Sequence, residues 1–334
     1  MSMDLPFVWA ALIGFAVLMY VVMDGFDLGI GILFPFLKKE RDRDVMVNTI
    51  APVWDGNETW LILGGGGLFA VFPLVYSVVL TALYAPLIAM LLALVFRGVA
   101  FEFRFKDPGH KHLWDLAFMG GSALATFCQG IVLGAYLQGI RIEGRNYAGG
   151  WFDWLTPFSV FTGLALLAGY ALLGAAWLVM KTEGDLQARI FRVMLPLAAT
   201  VLGAIGIVSL WTPFINEAIA ERWFSWPNIA LLSPVPLLVA GTAFALYRAI
   251  VKRREAQPFV LSLLLFLLAF AGLCVSLYPN AIPPDISIRE AAAPDASLGF
   301  LLVGALVLLP IILAYTAYSY WVFRGKVRAT DRYH

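Results

Sequence analysis

A chain of 334 residues that is 61% hydrophobic and 13% charged, with a mean hydropathy of +0.83, is not a soluble globular domain, which carries about 25% charged residues. It is a polytopic integral membrane protein. The formal net charge of +1 argues against a nucleic-acid partner. The two cysteines, Cys128 and Cys274, both in apolar runs, exclude a metal–thiolate cluster and argue against a structural disulfide.

In chain order, the opening Met1-Ser2-Met3-Asp4-Leu5-Pro6 has no basic segment, so no cleaved signal peptide is expected. Apolar runs of membrane length follow at 7–37, 52–73, 76–98, 113–138, 155–180, 193–215, 229–251, 259–278 and 298–323. These predict nine transmembrane helices. Only helices or closed barrels satisfy the backbone in lipid, and the runs are too long for barrel strands. The second and third runs are separated only by Phe72-Pro73-Leu74-Val75, which predicts a tight helical hairpin. No internal repeat, soluble domain or long linker is visible, so residues 1–334 read as a single polytopic membrane domain.

Basic residues set the expected orientation. Lys38, Lys39, Arg41 and Arg43 follow the first run; Arg97, Arg104, Lys106 and Lys111 follow the third. Lys181, Arg189 and Arg192 follow the fifth, Arg248, Lys252, Arg253 and Arg254 the seventh, and Arg324, Lys326, Arg328 and Arg332 the last. The alternate loops hold only Arg141, Arg145, Arg222 and Arg289. The positive-inside rule then places the N-terminus outside and the C-terminus in the cytoplasm. Trp151, Trp154, Trp211, Trp223 and Trp226 at outer loops, with Tyr318, Tyr320 and Trp321 at the inner end of the last helix, read as interfacial belts.

Chemistry concentrates in acids inside apolar runs. Asp24 and Asp27 lie within the first run, and Asp55 and Glu58 open the second. A carboxylate at a helix centre costs about 2.5–3.5 kcal/mol on insertion scales, so such residues are rare and functional by default. Each pair is spaced by three and so shares a helix face, which predicts a polar seam turned toward protein or water. Asp55 and Glu58 also fit the first turn of a helix, where carboxylates suit the dipole. Asp24 and Asp55, near the cytoplasmic ends of adjacent antiparallel helices, are expected to meet across them. Arg97 and Arg104, two turns apart, end the third run with Glu102 between them; Arg97 is placed to pair with an inward acid. Gly25 and Gly29 permit close helix approach, and Gly64-Gly65-Gly66-Gly67 reads as a surface for an apposed helix. Gln129 and Gln138 are mid-span polar residues without an assigned role. The histidines, His110, His112 and His334, lie outside every run, so no paired-histidine haem site can be built within this chain.

Several segments together resemble subunit II of the cytochrome bd family of quinol oxidases. They are Asp24-Gly25-Phe26-Asp27-Leu28-Gly29, Asn48-Thr49-Ile50-Ala51-Pro52-Val53-Trp54-Asp55-Gly56-Asn57-Glu58-Thr59-Trp60, Phe96-Arg97-Gly98-Val99-Ala100-Phe101-Glu102-Phe103-Arg104, Tyr278-Pro279 and Pro310-Ile311-Ile312-Leu313-Ala314-Tyr315-Thr316. The resemblance implies an all-α fold of two four-helix bundles plus one further helix. It implies a heterodimer in the bacterial cytoplasmic (inner) membrane with a subunit I that carries two b-type haems, haem d and the quinol site, and that reduces O2 to water. This chain would bind no haem itself. Some family members hold a structural quinone in this subunit, and some complexes add small single-span subunits. By the same likeness Asp24, Asp55 and Glu58 would relay protons, although the family often has glutamine where Glu58 stands. Asp27, Arg97 and Glu102 would form a polar seam or partner interface, and Trp54 and Trp60 would border oxygen entry. Two other readings fit buried acids: a stand-alone proton- or cation-coupled secondary transporter, which would show inverted repeats or paired broken helices, and a structural membrane anchor.

Overall fold

The computed structural model describes residues 4–328. Residues 1–3 of the opening segment, and Arg332 and His334 named above, lie outside the described residues. The chain is helical almost throughout. Helix α1 (Leu5–Leu33) starts with Pro6 in its first turn, where a missing N–H removes no intrahelical bond. A short turn leads to the amphipathic α2 (Glu40–Ile50), and α3 (Trp54–Val71) begins within the tryptophan-rich segment.

The predicted hairpin between the second and third runs takes another form. Phe72 leaves the helical region (φ −124°, ψ 64°), because the residue before a proline disfavours α geometry. The axis turns by 119° into α4 (Pro73–Ala82). A second break at Leu83 then starts α5 (Tyr84–Lys106), so the third long helix begins at Tyr84 rather than at 76. Helix α6 (Lys111–Gln138) ends at Gly139, whose φ of +90° suits glycine alone, and a small hairpin of β1 (Ile142–Glu143) and β2 (Asn146–Tyr147) follows.

Helix α7 (Pro157–Lys181) is opened by a capping box between Thr156 and Ser159. Helix α8 (Gly184–Ile215) starts nine residues before the predicted run and carries Pro196 and Pro213 inside it. Two short helices, α9 (Glu217–Phe224) and α10 (Asn228–Leu232), precede α11 (Pro234–Val251) and α12 (Gln257–Leu277). A hairpin of β3 (Asn280–Ile282) and β4 (Ile286–Ser287), the one-turn α13 (Ile288–Ala291) and α14 (Asp295–Val322) complete the described chain. Among the described residues eight helices are long and apolar enough to cross a membrane, or nine if the bent α3–α4 pair forms one span.

Helix α1 is central: it packs on α3, α6 and α7, while α5 lies on α6, α7 on α8, and α11 on α12. The α1–α7 contact is backbone-close. A Cβ on Gly29 would strike the Tyr170 carbonyl oxygen, and one on Gly25 would meet the Tyr170 ring at 2.9 Å. Phe26 stacks on Trp177 at 4.4 Å across the same contact. The glycine run of α3 is only half used within the chain: Gly64 and Gly67 face Val17 and Ile13 of α1, whereas Gly65 and Gly66 have open space.

The basic segments gather at one end. Arg43 and Arg104 bind Asp115, Lys111 binds Glu40, Arg189 binds Asp42, and Lys326 binds Glu255. Asp4 and Arg289 pair near the start of α1, where the backbone N–H of Ala293 bonds the Val71 carbonyl.

Candidate functional site

Asp24 and Asp27 are fully buried on the face of α1 turned toward α3 and α5, and Arg97 of α5 is fully buried against them. Arg97 Nη2 lies 3.0 Å from Asp24 Oδ1 and 3.9 Å from Asp27 Oδ2, and its Nη1 bonds Glu58 Oε2 at 3.2 Å. One guanidinium thus faces three carboxylates from two helices. Arg97 also lies over the rings of Trp54 and Phe101, which stack on each other at 4.7 Å and 5°. These rings shield one side of the cation and leave its fork free for the acids.

One amide side chain bonds Asp27, and a second positions the tyrosine beside Asp24. Asn57 Nδ2 donates to Asp27 Oδ2 at 2.7 Å and to the Met23 carbonyl at 3.4 Å, while its Oδ1 accepts from the Tyr320 hydroxyl of α14 at 2.8 Å. On the other side the Tyr170 hydroxyl donates to Gln129 Oε1 at 2.9 Å, and Gln129 Nε2 donates to the Tyr20 oxygen at 2.8 Å. Tyr20 stands beside Asp24 with its own proton uncommitted to Gln129. One chain runs Tyr320 to Asn57 to Asp27, and the other runs Tyr170 to Gln129 to Tyr20, which stands beside Asp24. Asp24 Oδ2, Asp27 Oδ1 and Arg97 Nε still have no hydrogen-bond partner in the chain, which leaves the cluster open to further donors or water.

Access is graded. The side chains of Asp24, Asp27 and Arg97 are sealed, whereas that of Glu58 is 27% exposed. Asp55, one turn before Glu58, is exposed, and its carbonyl accepts from the Thr59 hydroxyl. The expected meeting of Asp24 with Asp55 is thus replaced by Asp24–Arg97–Glu58. The reason is helical phase: Asp55 and Asn57, two residues apart, point about 200° from each other, so burying Asn57 turns Asp55 outward. Glu102 also faces outward, paired with Lys106 at 2.8 Å. Trp54 is half-buried in its stack, and Trp60 is buried against Phe15, Tyr20 and Met23.

Asn57, Tyr20, Tyr170 and Gln129 belong to the site without having been singled out for it, and Tyr320 turns inward from an expected interfacial belt. Only Gln129 and Asn57 carried a signal, as amides within or beside apolar runs. Arg104 is buried, with Asp44 at 2.6 Å and Asp115 at 2.5 Å. Among the described residues no group of three histidine, cysteine or acidic side chains could hold a metal ion. His110 bonds Asp107 at the polar start of α6.

A family model described as cytochrome bd terminal oxidase subunit II matches residues 5–323. The chain is 29% identical to cytochrome bd-I ubiquinol oxidase subunit 2 of Escherichia coli K12, over 98% of this chain and 96% of that relative. It is 30% identical to the probable cytochrome oxidase subunit 2 of Haemophilus influenzae, over 97% and 96%. It is 28% identical to cytochrome bd ubiquinol oxidase subunit 2 of Bacillus subtilis, over 96% of each chain. In fold it is similar to a chain in the structure of bd oxidase from Geobacillus thermodenitrificans, with a TM-score of 0.76 over 96% of this chain and 99% of that one, at 16% identity.

Proposed function

Because this chain belongs to the family of cytochrome bd terminal oxidase subunit II, we propose that it is the haem-free subunit that leads cytoplasmic protons to the oxygen-reducing haems of its partner. Membership makes it a subunit of a quinol oxidase, an oxidoreductase, with a subunit I as partner. It also sets aside the stand-alone transporter. The b- and d-type haems belong to subunit I; the histidines at the start of α6 do not supply a paired axial set inside the helices. The chain forms one polytopic unit of the bacterial inner membrane, with the basic end in the cytoplasm.

The observation that carries the proton role is the carboxylate–arginine cluster and its graded access. Three carboxylates against one guanidinium exceed it by two negative charges when all are ionised. A buried site with that excess is a place to accept protons. Asp55 at the surface, Glu58 half-way in, and Asp24 with Asp27 sealed behind Arg97 form a descending series. Arg97 moves no proton: it orients the three carboxyl groups and balances their charge. Asn57 and Tyr320 fix Asp27, and Tyr20 with Gln129 fixes Asp24. Trp54 and Trp60, on the same helix, line the apolar wall toward oxygen entry.

The faces of α3 and α5 that carry Ile62, Phe69, Leu92, Val95 and Phe96 are exposed in the chain alone. They are the natural seat for subunit I, which would close the mouth at Asp55 and receive the proton. The test is made on the complete oxidase. Asp55→Asn and Glu58→Gln should each lower quinol oxidase turnover severalfold or more with normal haem content. Wild-type turnover and proton uptake in both variants would overturn the reading.

A further inference from the structure

At the basic end many charges are answered. Arg43 and Arg104 pair with Asp115, Arg104 and Lys111 with Asp44, Lys111 with Glu40, Arg189 with Asp42, and Arg328 with Glu183. On the flank formed by the α1–α2 connection and the start of α8, Lys38, Lys39, Arg41 and Arg192 are exposed and have no carboxylate partner among the described residues. Arg192 borders a trough of about 290 Å³ between the end of α1 and the start of α8, walled by Leu33, Phe36, Leu37, Ile190 and Val193. Phe36 is 71% exposed there. A second hollow, reached by Lys39 and Arg41, adjoins it across Arg189, which contributes to both.

The trough stands at a boundary. Leu33 ends the first apolar helix, and Arg192 stands just before the apolar part of α8; Leu33, Leu37 and Ile190 form the buried floor, and the exposed Phe36 and half-buried Val193 form the open apolar edge beside the exposed Arg192. A free anion would have no use for Leu33, Phe36 and Val193. An apolar chain alone would leave Arg192 unanswered. One chemical class meets both: a phosphodiester headgroup carried on acyl chains.

We propose that this trough binds an anionic glycerophospholipid, its phosphate held at Arg192 in the field of Lys38, Lys39 and Arg41, and one acyl chain lying along Leu33, Phe36 and Val193. The acids on this flank do not compete, because Asp42 is committed to Arg189 at 2.5 Å and Glu40 to Lys111 at 2.6 Å. The exposed Asp185 lines the second hollow rather than the trough. The lipid would bridge the α1–α2 connection to α8, beside the Asp42–Arg189 pair. The site is independent of the proton route, since Arg192 touches none of its residues.

The test uses the complete oxidase, delipidated in neutral detergent and titrated with dioleoylphosphatidylglycerol or dioleoylphosphatidylcholine under native mass spectrometry. Wild type should retain one more phosphatidylglycerol than Arg192→Gln, with affinity about fivefold weaker in that variant, and no such difference for phosphatidylcholine. The triple variant Lys38→Gln, Lys39→Gln, Arg41→Gln should weaken phosphatidylglycerol further than it weakens phosphatidylcholine. Haem spectra and turnover of Arg192→Gln should match wild type, showing intact assembly. Equal retention of phosphatidylglycerol by wild type and Arg192→Gln would overturn the proposal. So would equal preference for phosphatidylcholine, displacement of phosphatidylglycerol by inorganic phosphate, or quantitative cross-linking of Phe36→Cys to subunit I.

Discussion

Replacing Arg97 by glutamine tests the cluster most severely. The substitution keeps a hydrogen-bonding side chain of moderate length but removes the one positive charge that Asp24, Glu58 and Asp27 share at 3.0, 3.2 and 3.9 Å. Asp24 and Asp27 are fully buried, so neither can turn to water. Breaking a buried pair by removing one partner costs about 3–5 kcal/mol, because an uncompensated charge stays inside. Domain stabilities are about 5–15 kcal/mol, so Arg97→Gln consumes a large share. Glu58→Gln should behave differently. Its side chain is 27% exposed and makes one contact to Arg97, and partly solvated pairs contribute about 0–1 kcal/mol. The expected order is therefore Arg97→Gln far below Glu58→Gln, which stays near wild type. The double variant Arg97→Gln with Asp24→Asn should recover part of the loss, since it removes one orphaned charge; contacting residues couple by about 0.5–3 kcal/mol. The assay is thermal inactivation of the detergent-solubilised complex, followed by haem absorbance and monodispersity. An Arg97→Gln complex as stable as wild type, or strict additivity with Asp24→Asn, would refute the buried-charge argument.

Three further outcomes are expected. Gly29→Ala should destabilise the chain by about 1–3 kcal/mol or more, because its Cβ would meet the Tyr170 backbone oxygen, whereas Gly66→Ala, with open space around it, should leave the fold of this chain intact; equal yields of folded protein would count against the α1–α7 contact. Tyr320→Phe leaves Asn57 Oδ1 without its donor and should cost about 1–3 kcal/mol, read as earlier thermal inactivation; an unchanged profile would place Tyr320 outside the network. Asp107, half-buried in the turn between α5 and α6, is held below the usual carboxylate range by hydrogen bonds from His110 and Trp114. Its folded-state value is depressed, so its small contribution is present at neutral pH and fades as pH falls through that lowered value. His110→Ala should return it toward the ordinary range in a carboxyl 13C titration, and an unmoved titration would refute the pairing.

What the sequence disclosed follows from which physical constraints are local. The apolar runs located the long helices because backbone satisfaction in lipid requires about 20 apolar residues at a stretch. The acids within them stood out for the same reason. Pro73 marks the break at Phe72 in the sequence, but a tight turn between antiparallel helices fits a proline there equally well. One proline can turn a chain by any of several angles, and only packing of α3 on α1 and of α4 on its neighbours selects 119°. The early start of α8 was hidden because polar residues such as Asp185, Gln187, Arg189 and Arg192 extend a helix as readily as apolar ones once their partners, such as Asp42, lie outside the membrane.

Site membership required a further kind of information. Period 3.6 states which residues of one helix share a face, but not how far that helix is rotated or how deep it sits against the next. An arginine at the end of an apolar run must find an acid, so the expectation that Arg97 meets an inward carboxylate needed no rotation angle. The choice among Asp55, Asn57 and Glu58 needed one. Tyr320 sits 263 residues from Asn57, and an aromatic at a helix end suits an interfacial belt and a buried donor equally well. The inward turn of Tyr320 is explained by what it meets: Asn57 Oδ1 is buried, its Nδ2 is committed to Asp27, and a buried amide oxygen without a donor is costly. The last helix is thereby tied to the aspartate cluster by a single hydroxyl, while Tyr318 and Trp321, two and one residues away, remain exposed. That contrast within one helical turn is the physical reason to expect Tyr320 to act with the cluster and its two aromatic neighbours with the membrane interface.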